Sequence, residues 1–129
     1  QALEQAHLAV RRDLVEYADI SAQSGYDAAR RLLARGVKFT ALFAGNDTIA
    51  FGALRALHEA GLRVPQDVAV VGYDDIPMSA HLHPSVTSVR QPTKLAAQTM
   101  VQMLFEVMSD EHPGAVVLPA ELIVRDSSQ

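Results

Sequence analysis

The feature that most limits what this chain can fold into is residues 64–75, Val-Pro-Gln-Asp-Val-Ala-Val-Val-Gly-Tyr-Asp-Asp. Val68, Ala69, Val70 and Val71 form a short uninterrupted apolar run between turn-forming residues. That is the pattern of a strand buried on both faces of a parallel sheet. Gly72 reads as the residue that lets the backbone turn sharply at the strand's end, with Asp74 and Asp75 directly behind it. Open α/β sheets bind ligands in the crevice beyond the carboxyl ends of their strands. The stretch therefore predicts two carboxylates delivered to a ligand-binding edge.

The sequence on either side alternates between helical and strand patterns. Residues 1–7 read as the tail of an amphipathic helix and residues 13–18 as a weak strand. A helix is predicted over residues 22–34, capped by Ser21 or Ser24, with Arg30, Arg31 and Arg35 on its outer side and Gly36 ending it. Residues 39–44 read as the next strand, leading into Gly45-Asn46-Asp47. There Asp47 is the expected N-cap of a helix over residues 48–60. The apolar positions of that helix cover more than one stripe. The surplus around Phe51 and Leu54 faces either a partner subunit or a neighbour in the same domain.

Residues 75–84 form a loop with one helical turn near Met78, and residues 86–89 read as a β-branched strand. Pro92 marks the start of a helix over residues 93–109, whose Met100, Met103 and Met108 are expected as core filler. Residues 115–118 and 122–124 are predicted as two short closing strands. Strands alternating with helices imply an α/β domain, a three-layer Rossmann-like parallel sheet with right-handed crossovers.

Composition narrows the function classes. A chain of 129 residues with 49% hydrophobic and 20% charged residues suits one globular domain. Its formal net charge is −4 and no basic cluster exceeds Arg11-Arg12 or Arg30-Arg31, so no face is expected to neutralise DNA phosphates. The absence of cysteine excludes disulfides and thiolate chemistry and fits a cytoplasmic protein. No apolar run approaches the roughly 20 residues that span a bilayer. The chain opens in mid-pattern with no helix cap ahead of Leu3, as the back part of a longer protein would.

Asn46-Asp47 and Asp74-Asp75 end two different strands and are expected to converge on one crevice. A neutral amide with carboxylates is a suitable set for the vicinal hydroxyls of a sugar or the N–H groups of a base. Asn46 and Asp74 are assigned to the ligand, while Asp47 and Asp75 are assigned to capping and loop bracing. No calcium-loop spacing accompanies these acids, and His81 and His83 lack the further ligands a zinc site needs. No nucleophile elbow, phosphate-cradling lysine loop or dinucleotide fingerprint occurs either. The expectation is a binding protein with no catalytic residues, no cofactor and no metal.

The combination of an Asn-Asp strand end, "GLRVPQDVAVVGYDD" and "PSVTSVRQP" at these separations closely resembles LacI/GalR-family transcriptional repressors. The similarity extends back through "DISAQSGYDAARRLLARG" and forward to "LPAELIVRDSS". It implies the second lobe of a type I periplasmic-binding-protein-like effector domain. Residues 1–91 would form that lobe without its opening strand, residues 92–110 a helix crossing to the first lobe, and residues 111–129 the closing strands. Asn46 and Asp74 match effector-contacting positions of the family. Ile20 and Thr93 stand where relatives often place an aromatic ring, and both are carried as effector-binding positions.

Phe51, Leu54 and Leu82 match the family's dimer interface. The resemblance thus implies a homodimer that binds a small-molecule effector, most simply a sugar, and reaches DNA only through an N-terminal headpiece outside this chain. A solute-binding protein feeding a sugar transporter shares the fold and is the alternative. With its crossing helix uncovered, the chain alone is expected to self-associate.

Overall fold

A computed structural model describes residues 2–129. The expected first helix is present as α1 (Ala2–Gln5), with Gln1 outside the described residues. Four strands form one sheet in chain order: β1 (Ala41–Phe43), β2 (Ala69–Tyr73), β3 (Thr87–Arg90) and β4 (Glu121–Ile123). The first three are parallel, with Leu42 opposite Val70 and Val71 opposite Thr87, and β4 returns antiparallel with Leu122 opposite Val89. The three longer helices are α2 (Ala22–Ala34), α3 (Asp47–Glu59) and α4 (Thr93–Met108). Their local signals are those expected: Ser21 Oγ accepts from Ser24 N at the start of α2, and Gly36 follows its end with φ 68°.

The core lies between α3 and the sheet, where Ala44, Ala50, Leu57, Val68, Val70 and Val86 are buried together. A second cluster, Ala29, Ala53 and Ala56, joins α2 to α3. The two helices meet backbone to backbone. A Cβ on Gly52 would stand 1.9 Å from the Ala22 carbonyl oxygen, so only glycine permits the approach. The broad apolar coverage of α3 is thus mostly two stripes, one on the sheet and one on α2. Phe51 and Leu54 stand half-buried at the margin of the first cluster.

The structure corrects several expectations. Residues 13–18 are not a strand: a single turn of 3-10 helix (Arg12–Leu14) leads through an extended Val15 into irregular backbone with no strand partner among the described residues. That segment is held by α2. Arg35 Nη1 donates to the carbonyls of Asp13 (2.8 Å) and Val15 (3.3 Å), and Arg31 Nη2 donates to the Tyr17 carbonyl (3.0 Å). Glu16 pairs with both guanidiniums. Two arginines read as solvent-facing thus take the place of a ladder. A pocket of about 540 Å³, lined by Val15, Leu32, Ala41 and Phe43 among others, separates the segment from β1.

Residues 115–118 also lack a strand partner, and Val116 and Val117 are exposed. β2 alternates between buried (Val70, Gly72) and half-buried (Ala69, Val71, Tyr73) rather than being sealed on both faces, since the α3 core covers one side. The methionines of α4 are not core filler: no residue of this helix is buried, and Met100 and Met108 are exposed. The reason is positional, because α4 packs on neither α2 nor α3 nor the sheet to any extent.

Candidate functional site

Because β1, β2 and β3 are parallel, their carboxyl ends share one edge of the sheet. Asn46 follows β1, Asp74 and Asp75 follow β2, and Gln91 and Thr93 follow β3. The edge is assembled from residues as far as 47 positions apart by strand pairing alone.

Asn46, not Asp47, caps α3. Its backbone is extended (φ −156°, ψ 172°), and its Oδ1 accepts from Ile49 N at 2.8 Å, which satisfies one of the orphan amides of the helix. The cap bond orients the side chain so that Nδ2 remains, with no protein acceptor among the described residues. Asn46 therefore combines a structural task with a donor still available at the edge.

Asp47, displaced from the cap position into the first turn, points its side chain inward and is fully buried. Its Oδ2 accepts from Ile76 N (2.9 Å) and Ser79 Oγ (2.5 Å), and its Oδ1 accepts from Ser88 Oγ (2.6 Å). Gly72 serves this carboxylate and not a turn. It sits inside β2, paired with Ser88, where an added Cβ would lie 2.2 Å from Asp47 Oδ1.

The sharp turn falls instead on Asp74 and Asp75, whose φ values of 101° and 52° are left-handed. Non-glycine residues there cost about 1–3 kcal/mol each and persist only where the surroundings enforce them. Three hydrogen bonds do so: Asp74 N to the Val89 carbonyl (2.9 Å), Asp75 N to Ser88 Oγ (3.0 Å), and Ile76 N to Asp47.

The turn gives the two acids opposite fates. Asp75 swings inward to 4% side-chain exposure, between Arg125 (Nη2 to Oδ1, 2.6 Å) and Arg90 (Nη2 to Oδ2, 2.6 Å). Burial alone would raise its pKa, but the hydrogen bonds from the two arginines outweigh it and hold the carboxyl below its ordinary value. It is a brace, as expected, though one made by arginines instead of loop amides.

Asp74 remains exposed, and its Oδ1 accepts from Gln91 Nε2 at 2.6 Å. Gln91 is a residue of this edge that the sequence reading does not single out. The register signal was present, because pairing Tyr73 with Val89 brings the residues after β2 beside those after β3.

Thr93, the first residue of α4, is exposed at the same edge, one residue beyond Pro92, with its N–H on the Gln91 carbonyl (2.9 Å). Ile20 is 80% exposed and immediately precedes the Ser21 cap. The approach of Ala22 to Gly52 puts it near the first turns of α3, and among the described residues no hydrogen bond ties it to Asn46 or Asp74. Leu82 is half-buried against the same core as Phe51 and Leu54, and Met78 in the loop before it is exposed.

Chemically, the edge offers an amide donor, a carboxylate and a second amide, all suited to polar recognition. The hydroxyl–carboxylate contacts of Ser79 and Ser88 with Asp47 are fully buried and form a scaffold with no access for a substrate. Among the described residues no group of three His, Cys, Asp or Glu is arranged to hold a metal ion.

Known proteins share the fold that builds this edge. The family model described as a periplasmic binding protein-like domain matches residues 1–128. The transcriptional regulator CelR of Thermobifida fusca is 42% identical over 129 residues, 98% of this chain and 38% of the relative. A solved CelR–cellobiose complex superposes with a TM-score of 0.88 at 42% identity, covering 98% of this chain and 39% of that one. The lac repressor dimer bound to operator and the anti-inducer ONPF gives 0.87 at 34% identity, covering 98% and 44%. The chain spans about two-fifths of the length of the curated relatives it matches.

Proposed function

Because the chain belongs to the periplasmic-binding-protein-like domain family, in the form carried by LacI-type regulators, we propose that it is the effector-sensing second lobe of a cytoplasmic transcriptional repressor. Asn46 and Asp74 hold a small polyhydroxylated ligand, most simply a sugar, against a first lobe contributed by another part of the protein. Gln91 joins them, while Ile20 and Thr93 border the ligand. Ligand binding shifts the balance between two lobe arrangements and so changes how a headpiece elsewhere in the protein meets DNA.

The observation that carries the reading is the edge itself: Asn46 fixed by its cap bond, with Asp74 exposed on a strained and enforced turn and bonded to Gln91. Cellobiose in the related complex supports a sugar. The relatives named above are regulators, which favours this reading over a transporter's solute-binding protein. The pocket between residues 15–18 and β1 is read as the seat of the lobe's opening strand, since both walls are apolar and β1 is otherwise an edge. The exposed face of α4 (Met100, Val101, Leu104, Phe105, Met108) is read as the surface that crosses to the first lobe. Phe51, Leu54 and Leu82 are read as the dimer face.

The test is calorimetric titration of the intact protein with cellobiose, other sugars, nucleosides and phosphosugars. A charged hydrogen bond to ligand is worth about 1.5–3 kcal/mol, so Asp74→Ala weakens the ligand that binds by about 10- to 100-fold. Unchanged affinity in that variant removes Asp74 from the site, and the reading with it.

A further inference from the structure

We infer that Asp47 is a positioning residue that locks the Asp74–Asp75 turn to the loop over residues 76–83, so that turn and loop move as one piece. Its two carboxylate oxygens divide the task. Oδ1 takes Ser88 Oγ, and that same hydroxyl oxygen accepts the Asp75 amide at 3.0 Å. Oδ2 takes the Ile76 amide and Ser79 Oγ, and Ser79 in turn closes the loop by donating its N–H to the Ile76 carbonyl (2.9 Å) and accepting Val86 N (2.7 Å).

Asp47, Ser79 and Ser88 are all at 0% exposure, and no cation pairs with Asp47 among the described residues. A buried carboxylate satisfied by neutral donors holds each of them by a charge-assisted bond, and it forfeits buried hydrogen bonds if it moves. Gly72 presses on Oδ1 from the strand side, leaving little room for the carboxylate to swing. It cannot follow the turn and the loop in two directions at once.

The coupling stands on these contacts alone. Its consequence rests on the proposed function. Asn46 is the residue before Asp47, so a ligand drawn onto Asn46 and Asp74 displaces both ends of the same buried group. The displacement then reaches the loop that carries Met78 and Leu82, on the proposed dimer face.

The test is amide hydrogen exchange on the intact protein, read at residues 75–76 and 79–81 in Asp47→Asn, Ser79→Ala and Ser88→Ala. Leu57→Ala serves as a control that weakens the α3 core without touching the carboxylate. Asp47→Asn is expected to speed exchange about tenfold or more at both segments together. Each serine variant is expected to loosen the other's segment too: Ser88→Ala at Ser79 and His81, Ser79→Ala at Asp75. If each loosens only its own segment, or if Leu57→Ala reproduces the pattern, the coupling is overturned. Should Asp47→Asn not fold, the serine pair decides alone. No ligand enters this experiment, so its failure leaves the effector site standing, and a failed titration leaves the coupling standing.

Discussion

Replacing Gly72 with alanine tests whether the glycine exists to admit the buried carboxylate. The new methyl would lie 2.2 Å from Asp47 Oδ1, 3.2 Å from its Cγ and 3.3 Å from its Cα. Ordinary contact begins near 3.4 Å, so the worst pair is about 1.2 Å too close. Two responses compete. The strand shifts away from α3, an overpacking cost of about 1–3 kcal/mol in a well-packed core. Alternatively the carboxylate swings off and loses its bond from Ser88, about 1.5–3 kcal/mol for a charged hydrogen bond.

Whichever is cheaper sets the outcome, and neither falls below about 1 kcal/mol. We expect a loss of about 1–3 kcal/mol, read as a lower urea midpoint at unchanged m and a Tm lower by roughly 5–10 °C. The decisive arm is the double-mutant cycle with Asp47→Ala. With the carboxylate gone, Gly72→Ala costs under about 0.5 kcal/mol more, so the two changes are strongly non-additive. A single variant within about 0.5 kcal/mol of wild type, or an additive cycle, refutes the steric argument.

Arg125→Met removes the guanidinium that bridges Asp75 Oδ1 and the Val86 carbonyl, leaving a nearly buried carboxylate with Arg90 alone. The expected loss is about 2–3 kcal/mol, measured by denaturation; a change below about 0.5 kcal/mol would mean Arg90 suffices. Acid stability follows from the same cluster. The folded-state pKa of Asp75 lies below the ordinary 3.8, so on acidification the unfolded chain takes up this proton first. The contribution is complete above about pH 5 and is lost as pH falls through 3.8 toward the depressed folded value. Stability measured from pH 5 to pH 2 should therefore fall less steeply in Asp75→Asn than in wild type. Light scattering of the 129-residue chain alone should show concentration-dependent association through the bare apolar face of α4, which Leu104→Lys with Phe105→Glu abolishes. A strictly monomeric chain at high concentration would sink that expectation.

Much of the site was legible because strand ends and helix caps are local signals. Gly-Asn-Asp after one apolar run and Gly-Tyr-Asp-Asp after another marked the edge, and the parallel pairing brought them together. The division of labour within each pair was only partly legible. Asp47 and Asn46 are both good caps by type. The choice between them depended on Ser79, Ser88 and Ile76, 29 to 41 residues away, being positioned to donate to one inward carboxylate. Gln91 is not legible as a residue of this edge because its place there depends on the register of β3 against β2, which no window around Gln91 contains.

By itself, then, the sequence determined the helix over 22–34 and, to within one residue, the helix from Thr93 to Met108, along with the three parallel strands and the acids that follow two of them. Those depend on apolar period, caps and C-terminal glycines, all within a few residues of one another. Tertiary structure alone decided that Gly72 makes room for a carboxylate, that Arg31 and Arg35 hold an unpaired segment, and that Asp75 turns inward to Arg125 fifty residues on while Asp74 faces out. It also left Met100 and Met108 of α4 exposed. The physical reason is common to all of these. Where a polar or charged side chain points, and whether an apolar one is covered, depends on the partner that packing brings to it, and that partner is remote in the chain.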